Sequence, residues 1–155
     1  MKAVLQRVFN ATVYADSIFS GSINEGLYIL LGVEKNDDAE DVNLLVEKIS
    51  KLRIFCDEND KMNLSVMDIN GDVLVVSNFT LNANYEHGNR PDYLSGAKPE
   101  YANQLYEYFV SLMKQKVKNV ATGKFGSDMK INMTCLGPVT IVIESAKLKK
   151  GKSKI

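Results

Sequence analysis

The sequence predicts a single α/β domain with mixed, barrel-like β-sheets and two main helices, in the order strands, helix, strands, helix, strands. Three observations carry this. The first third alternates or runs apolar at strand lengths, two later segments repeat their apolar residues every three or four positions, and 155 residues suit one domain of ordinary size.

Ala3–Leu5 and Val8–Val13 alternate loosely, and Ile18–Ile23 is a short strand. Gly26-Leu27-Tyr28-Ile29-Leu30-Leu31-Gly32-Val33 is a continuous apolar run, which suits a strand covered on both faces. Asp37 and Asp38 then offer N-caps to a helix whose stripe is Val42, Leu45, Ile49 and Leu52. Arg53–Cys56 reads as a strand ended by the polar turn Asp57-Glu58-Asn59-Asp60, and Asn70-Gly71 is a strong turn signal. The run Asp72–Leu81 reads as a β-branched central strand that becomes polar only at its far end. After a polar loop from Asn82 to Ala97, Pro99 opens a second helix with Ala102, Leu105, Phe109, Leu112, Met113 and Val117 on one face. Two last strands are expected at Asp128–Thr134 and Val139–Glu144, separated by Cys135-Leu136-Gly137-Pro138. The domain is placed at residues 1–144, and residues 145–155 are expected to form a basic, disordered tail.

The charges balance at 19 basic and 19 acidic residues, but Lys147, Lys149, Lys150, Lys152 and Lys154 crowd the last nine positions. Without them the body is acidic and a poor general binder of polyphosphate, so a nucleic-acid ligand must be gripped locally. No apolar stretch is long enough to span a membrane, and a cytoplasmic protein is expected. Cys56 and Cys135 have no CxxC partner, so reduced thiols are expected and neither a zinc site nor a disulfide framework is suggested. No metal or organic cofactor is expected. The single histidine, His87, lies in a polar, Gly- and Asn-rich loop, a poor place for the base of a Ser-His-Asp triad. HExxH, GxxxxGK[ST] and GxGxxG patterns are absent. The acidic pairs Asp37/Asp38 and Glu40/Asp41 are explained by the macrodipole at a helix start.

Two segments ask for more than packing. Ser77-Asn78-Phe79-Thr80 puts hydroxyl and amide groups at the end of a hydrophobic strand, a common place for a pocket rim with free backbone N–H groups. Its bland alternative is a strand edge with local hydrogen bonds. Gly137-Pro138 interrupts a ladder between two strands, and its bland alternative is an ordinary turn. Phe125 and Met129 precede that segment and offer an aromatic and a thioether surface for stacking a base, with core packing as the equal alternative.

Ser77-Asn78-Phe79-Thr80-Leu81 resembles the SQFTL motif of the D-aminoacyl-tRNA deacylases, and Gly137-Pro138-Val139-Thr140 their NxGPVT motif. The resemblance extends through Glu144. It includes Met1–Val8, Leu31-Gly32-Val33, Arg53-Ile54-Phe55, Lys61-Met62-Asn63, Gly88-Asn89-Arg90-Pro91 and Thr122-Gly123-Lys124-Phe125-Gly126. It implies a homodimer that hydrolyses the ester joining a D-amino acid, or glycine mischarged onto tRNA-Ala, to the 3′ terminal adenosine of tRNA. It further implies a cis Gly137–Pro138 bond whose carbonyls enter the partner subunit's pocket to test the chiral centre. Backbone N–H groups near Phe79 and Thr80 would hold the oxyanion beside Ser77, with help from the adenosine 2′-OH. A Thr80 nucleophile ranks lower, because no base is visible to activate it. Asn78, Gly137, Pro138, Met129 and Phe125 are the expected substrate contacts.

The chain departs from the pattern in three places. Asn78 stands where the family has Gln, Cys135 where it has Asn, and Leu136 where an acidic residue is common. A thiol nucleophile at Cys135 is not expected, since no basic partner is visible. Two other readings stay open: a sister deacylase acting on a small L-amino acid on mismatched tRNA, and a non-catalytic dimer that binds RNA ends through its lysines.

Overall fold

A computed structural model describes residues 1–152. The spine of the molecule is β1 (Lys2–Ala15), one continuous strand where the sequence suggests two segments. Its alternation explains the length: Ala3, Leu5, Val8, Ala11, Val13 and Ala15 are buried, with the alternation interrupted on either side of Val8. β2 (Ile18–Ile23) and β3 (Gly26–Gly32) return antiparallel along one edge of β1, pairing with residues 11–15 and 2–8 respectively. β6 (Asp72–Ser77) lies parallel to β3, and β7 (Val120–Thr122) parallel to β6. β2 comes back to β7, where the Ser20 hydroxyl donates to Thr122 O at 2.9 Å, so the sheet nearly closes on itself. The barrel-like α/β class expected from the sequence is therefore the one observed.

β3 is buried at six of seven positions, as its unbroken apolar run requires. One face of the sheet is covered by α1 (Ala39–Ser50) and α2 (Pro99–Lys116), which contribute Val42, Leu45, Ile49, Leu105, Phe109 and Met113 to the main core. Asp38 caps α1: its carboxylate accepts the Glu40 and Asp41 N–H groups, and the Asp41 carboxylate accepts the Asp38 N–H, a reciprocal capping box. Asp37 is not a cap but a buried acceptor for Glu34 N–H and the Met1 ammonium. β4 (Phe55–Cys56) and β5 (Met62–Leu64) form a small separate hairpin around the expected turn, and Arg53 and Ile54 lie outside it.

Three further expectations are corrected, and one strand was not foreseen. The run from Asp72 leaves the sheet at Ser77 and becomes a 3₁₀ turn over Phe79–Asn82, because the polar side chain of Asn78 caps it. The two last strands are one, β8 (Met129–Glu144), which follows β1 on both sides of the Gly137–Pro138 step. β7 is too short for any periodic signal to show it. Finally, the expected disordered tail is a third helix, α3 (Ser145–Lys152). Ser145 is buried and its N–H donates to Met1 O, while Lys149 reaches the Asp41 carboxylate at 2.8 Å and Asp38 at 3.5 Å. One lysine of a run that read as solvated thus meets the acidic start of α1, while Lys147 pairs with Glu144. The remainder of that segment, residues 153–155, lies outside the described residues.

Candidate active site

The parallel pair β3–β6 ends at Leu31 and Ser77, and the chain stays in register one residue further, with Asn78 N–H donating to Leu31 O at 2.8 Å. There the 3₁₀ turn folds against the end of β3. Gly32 permits this approach: a Cβ at that position would lie 3.0 Å from Leu81 Cβ and 3.1 Å from Asn78 O. The buried Asn82 amide then donates to Val33 O at 2.8 Å and fixes the turn on the strand.

Beside this turn lies a cavity of about 620 Å³. Val76, Ser77, Asn78 and Phe79 form one wall, and Tyr93, Gly96 and Ala97 of the long loop a second. Tyr106 of α2 forms the floor with Ala102, and Phe125 to Met129 close the remaining side. The buried Tyr106 hydroxyl donates to Val75 O at 2.9 Å, and its ring lies 5.9 Å from that of Phe125, which holds Phe125 against the cavity. Burial pushes the Tyr106 phenol well above its ordinary range, so it remains a neutral donor. Phe79 is 65% exposed at the mouth, where its ring meets Tyr93 edge-on at 5.0 Å.

The polar geometry of the wall is set by Asn78. Its Oδ1 accepts both the Thr80 N–H (3.1 Å) and the Thr80 hydroxyl (2.5 Å). A backbone N–H can only donate, so the oxygen of the carboxamide must face Thr80 and the NH₂ must face away. Among the described residues that NH₂ has no acceptor, and neither has the Phe79 N–H. Two uncommitted donors therefore sit on residues that line the cavity. The Thr80 N–H, expected to face a ligand, is instead consumed by the Asn78 cap, and Thr80 does not line the cavity.

Of the residues singled out in the sequence, Ser77, Asn78, Phe79, Phe125 and Met129 meet around this one cavity. Gly137 and Pro138 do not: they are exposed on β8 and absent from its walls. Their bond is cis, and Gly137 has φ 120°. Arg7 holds this step. It alone opposes residues 136–139 in the β1–β8 register, its Nε donates to Leu136 O at 3.3 Å and its Nη1 to Ile54 O at 2.7 Å. A cation interrupting the alternation of β1 was the signal that could have singled it out; Tyr93 and Tyr106 carried none. His87 and the free thiols of Cys56 and Cys135 are likewise absent from the cavity's lining.

The family model described as D-Tyr-tRNA(Tyr) deacylase matches residues 4–144. A protein of Flavobacterium psychrophilum named D-aminoacyl-tRNA deacylase is 52% identical over 146 residues, covering 94% of this chain and 97% of the relative. One of the same name from Clostridioides difficile is 50% identical over 147 residues, 95% and 99% of the two chains. Among solved structures, the c-Myc DNA unwinding element binding protein superposes with a TM-score of 0.88 at 36% identity, covering 93% of this chain and 98% of that one. With motifs, cavity and nearly full-length similarity in agreement, the chain belongs to the D-Tyr-tRNA(Tyr) deacylase family.

Proposed function

We propose that the cavity at the end of β6 is where this enzyme cuts the ester of D-aminoacyl-tRNA, and that the Phe79 N–H and the Asn78 Nδ2 hold the developing oxyanion. The chain is a hydrolase that releases free D-amino acid and tRNA. Water adds to the ester carbonyl, the carbonyl electron pair moves onto oxygen between the two donors, and the C–O bond to the ribose then breaks. The proton that the attacking water loses passes to the departing ribose oxygen, with the adjacent 2′-OH as the nearest relay, leaving the amino acid and a free ribose hydroxyl. Fixed dipoles of this kind lower the barrier because they need no reorganisation when charge appears.

The carrying observation is the pair of uncommitted donors on one wall of the cavity. Thr80 acts by positioning. Its hydroxyl proton is given to a carboxamide oxygen, which is no base, so a Thr80 nucleophile lacks its activator. Ser77 sits at the rim, while Phe125 and Met129 supply the flat apolar surface that an adenine needs. Glycine on tRNA-Ala, with no side chain for a stereochemical filter to reject, is a second substrate on this reading.

A second copy supplies the Gly137–Pro138 carbonyls. Three features support this: the step is absent from its own chain's cavity, it is exposed, and the apolar Phe9, Met133 and Val142 are exposed on the same two strands. The domain is residues 1–144 with α3 clasped to it, and the place of action is the cytoplasm, where aminoacyl-tRNA is found. The test is release of amino acid from D-Tyr-tRNA and L-Tyr-tRNA side by side: preferential loss of the D-ester is expected, and equal rates refute the filter. Mixing subunits altered at Gly137 with subunits altered at Asn78 should make about a quarter of the sites both active and selective for the D-ester if the loop acts across the interface.

A further inference from the structure

The fourth wall of the cavity leans on a surface patch that packing does not explain. Asp16 and Ser17 turn β1 into β2, and the Asp16 N–H donates to Asp128 O at 2.9 Å, tying the hairpin tip to the Phe125–Met129 segment. Just past the tip, Ile18 is 72% and Phe19 58% exposed. Strand register sets Phe19 opposite Tyr14 and Tyr14 opposite Lys130, and directly opposed residues share a face. Phe19, Tyr14 and Lys130 therefore form a row across β2, β1 and β8. The Phe19 and Tyr14 rings meet edge-on at 6.0 Å.

The charge and polarity of the row are those of a nucleic-acid contact. Among the described residues Lys130 has no ion pair. The tip carboxylate, Asp16, is taken up by Ser127 and by Lys124 at 3.4 Å, and those bonds hold its pKa below the ordinary carboxylate value. The next row on the same face is Ser22, Thr12 and Asn132, neutral hydrogen-bonding side chains with no carboxylate. An exposed aromatic for a base, an unpaired cation for a phosphate and neutral polar neighbours are what single-stranded RNA requires of a surface. A chain whose last adenosine occupies the cavity has to leave it across a rim, and the Asp16–Asp128 bond joins the hairpin that carries Phe19 to the Phe125–Met129 side of that cavity.

We propose that the row Phe19–Tyr14–Lys130 is the subsite for the unpaired nucleotides preceding the terminal adenosine, with Phe19 stacking on a base and Lys130 facing the backbone. This rests on the ester-site reading above. The two are separated by assaying Phe19→Ala and Lys130→Gln on D-Tyr-tRNA and on D-tyrosyl-adenosine, which has no preceding nucleotide. Phe19→Ala should lower kcat/KM on tRNA about 5- to 150-fold and leave the adenosine ester within about twofold. Lys130→Gln should reduce the salt slope of tRNA affinity by about 0.7. The subsite is refuted if Phe19→Ala leaves tRNA turnover unchanged, slows both substrates alike, or changes the molecular mass in solution, which would make the patch a contact between copies. If the unaltered enzyme cleaves neither substrate, the ester-site reading itself falls.

Discussion

Asn78→Asp separates the two jobs assigned to one side chain. Aspartate has the same shape and still accepts the Thr80 N–H and hydroxyl, so the 3₁₀ turn at Phe79–Asn82 keeps its cap. What disappears is the NH₂ donor. Loss of one oxyanion donor costs about 100- to 1000-fold in kcat, or about 3 to 4 kcal/mol, when the other donor remains, and here the Phe79 N–H remains. The new carboxylate also repels an oxyanion, so Asn78→Ala is the necessary companion: it removes the donor without adding charge. It also loses the cap, which lowers stability by about 0.5–2 kcal/mol. Single-turnover hydrolysis of D-Tyr-tRNA at saturating enzyme reports the chemical step, and thermal unfolding reports the cap. Both variants should lose at least about 100-fold in the single-turnover rate, with unfolding unchanged for aspartate. If alanine stays within about threefold of the parent, Asn78 is a cap and nothing more. If aspartate retains full activity, the donor assignment is wrong.

Gly137→Ala would place a Cβ 2.8 Å from Val139 Cγ2 and 2.9 Å from Val139 N at a φ of 120° that side chains rarely adopt. The step must move, and the ratio of D-Tyr to L-Tyr release should fall by at least about tenfold; an unchanged ratio would remove Gly137 from the filter. Tyr106→Phe deletes the bond to Val75 O, which retains the Gly123 N–H at 3.1 Å, so no orphan acceptor is left. A loss of about 1 kcal/mol is expected in denaturant unfolding. Burial works against ionised Asp41, but hydrogen bonds from Lys149, Ser145 and Asp38 outweigh it and hold its pKa at about 2, below the ordinary 3.8. A depressed folded pKa gives stability that is complete above the unfolded value and lost on acidification. The unfolding midpoint should therefore drop between about pH 4 and 2, and Asp41→Asn should flatten that limb.

The sequence made legible what short-range periodicity encodes. β2 appears at the expected bounds, β3 is buried on both faces as its apolar run demands, and Pro99 opens α2. What it concealed depends on partners far along the chain. Lys149 of α3 reads as solvent-facing until Asp41, more than a hundred residues earlier, is placed beside it. β8 reads as two strands because Gly137–Pro138 looks like a stop, yet β1 lies alongside both halves. In the site, the motif residues Ser77, Asn78 and Phe79 were visible, but the direction of the Asn78 carboxamide was not, since it follows from a hydrogen bond only the folded turn can make.

That direction bears on why an enzyme of this composition can work at all. The one histidine is absent from the cavity's lining, and the single carboxylate there, that of Asp128, stands on the side formed by Phe125 to Met129, away from the two donors of the Asn78–Phe79 wall. A site of this kind gains rate by placing dipoles, and dipoles are only as good as their rigidity. Here rigidity is layered: Gly32 lets the turn seat on β3, Asn82 pins it to Val33, Thr80 points the Asn78 oxygen inward to the turn, and the NH₂ is left pointing the other way. Asparagine closes this short ring where a side chain one methylene longer would overshoot. The replacement of Gln by Asn in the motif is therefore compatible with an intact pair of donors, and Asn78→Gln should weaken hydrolysis here although it brings the sequence nearer to the common pattern. Single-turnover rates at or above the parental value in that variant would show that the longer amide reaches the ester without the Thr80 anchor.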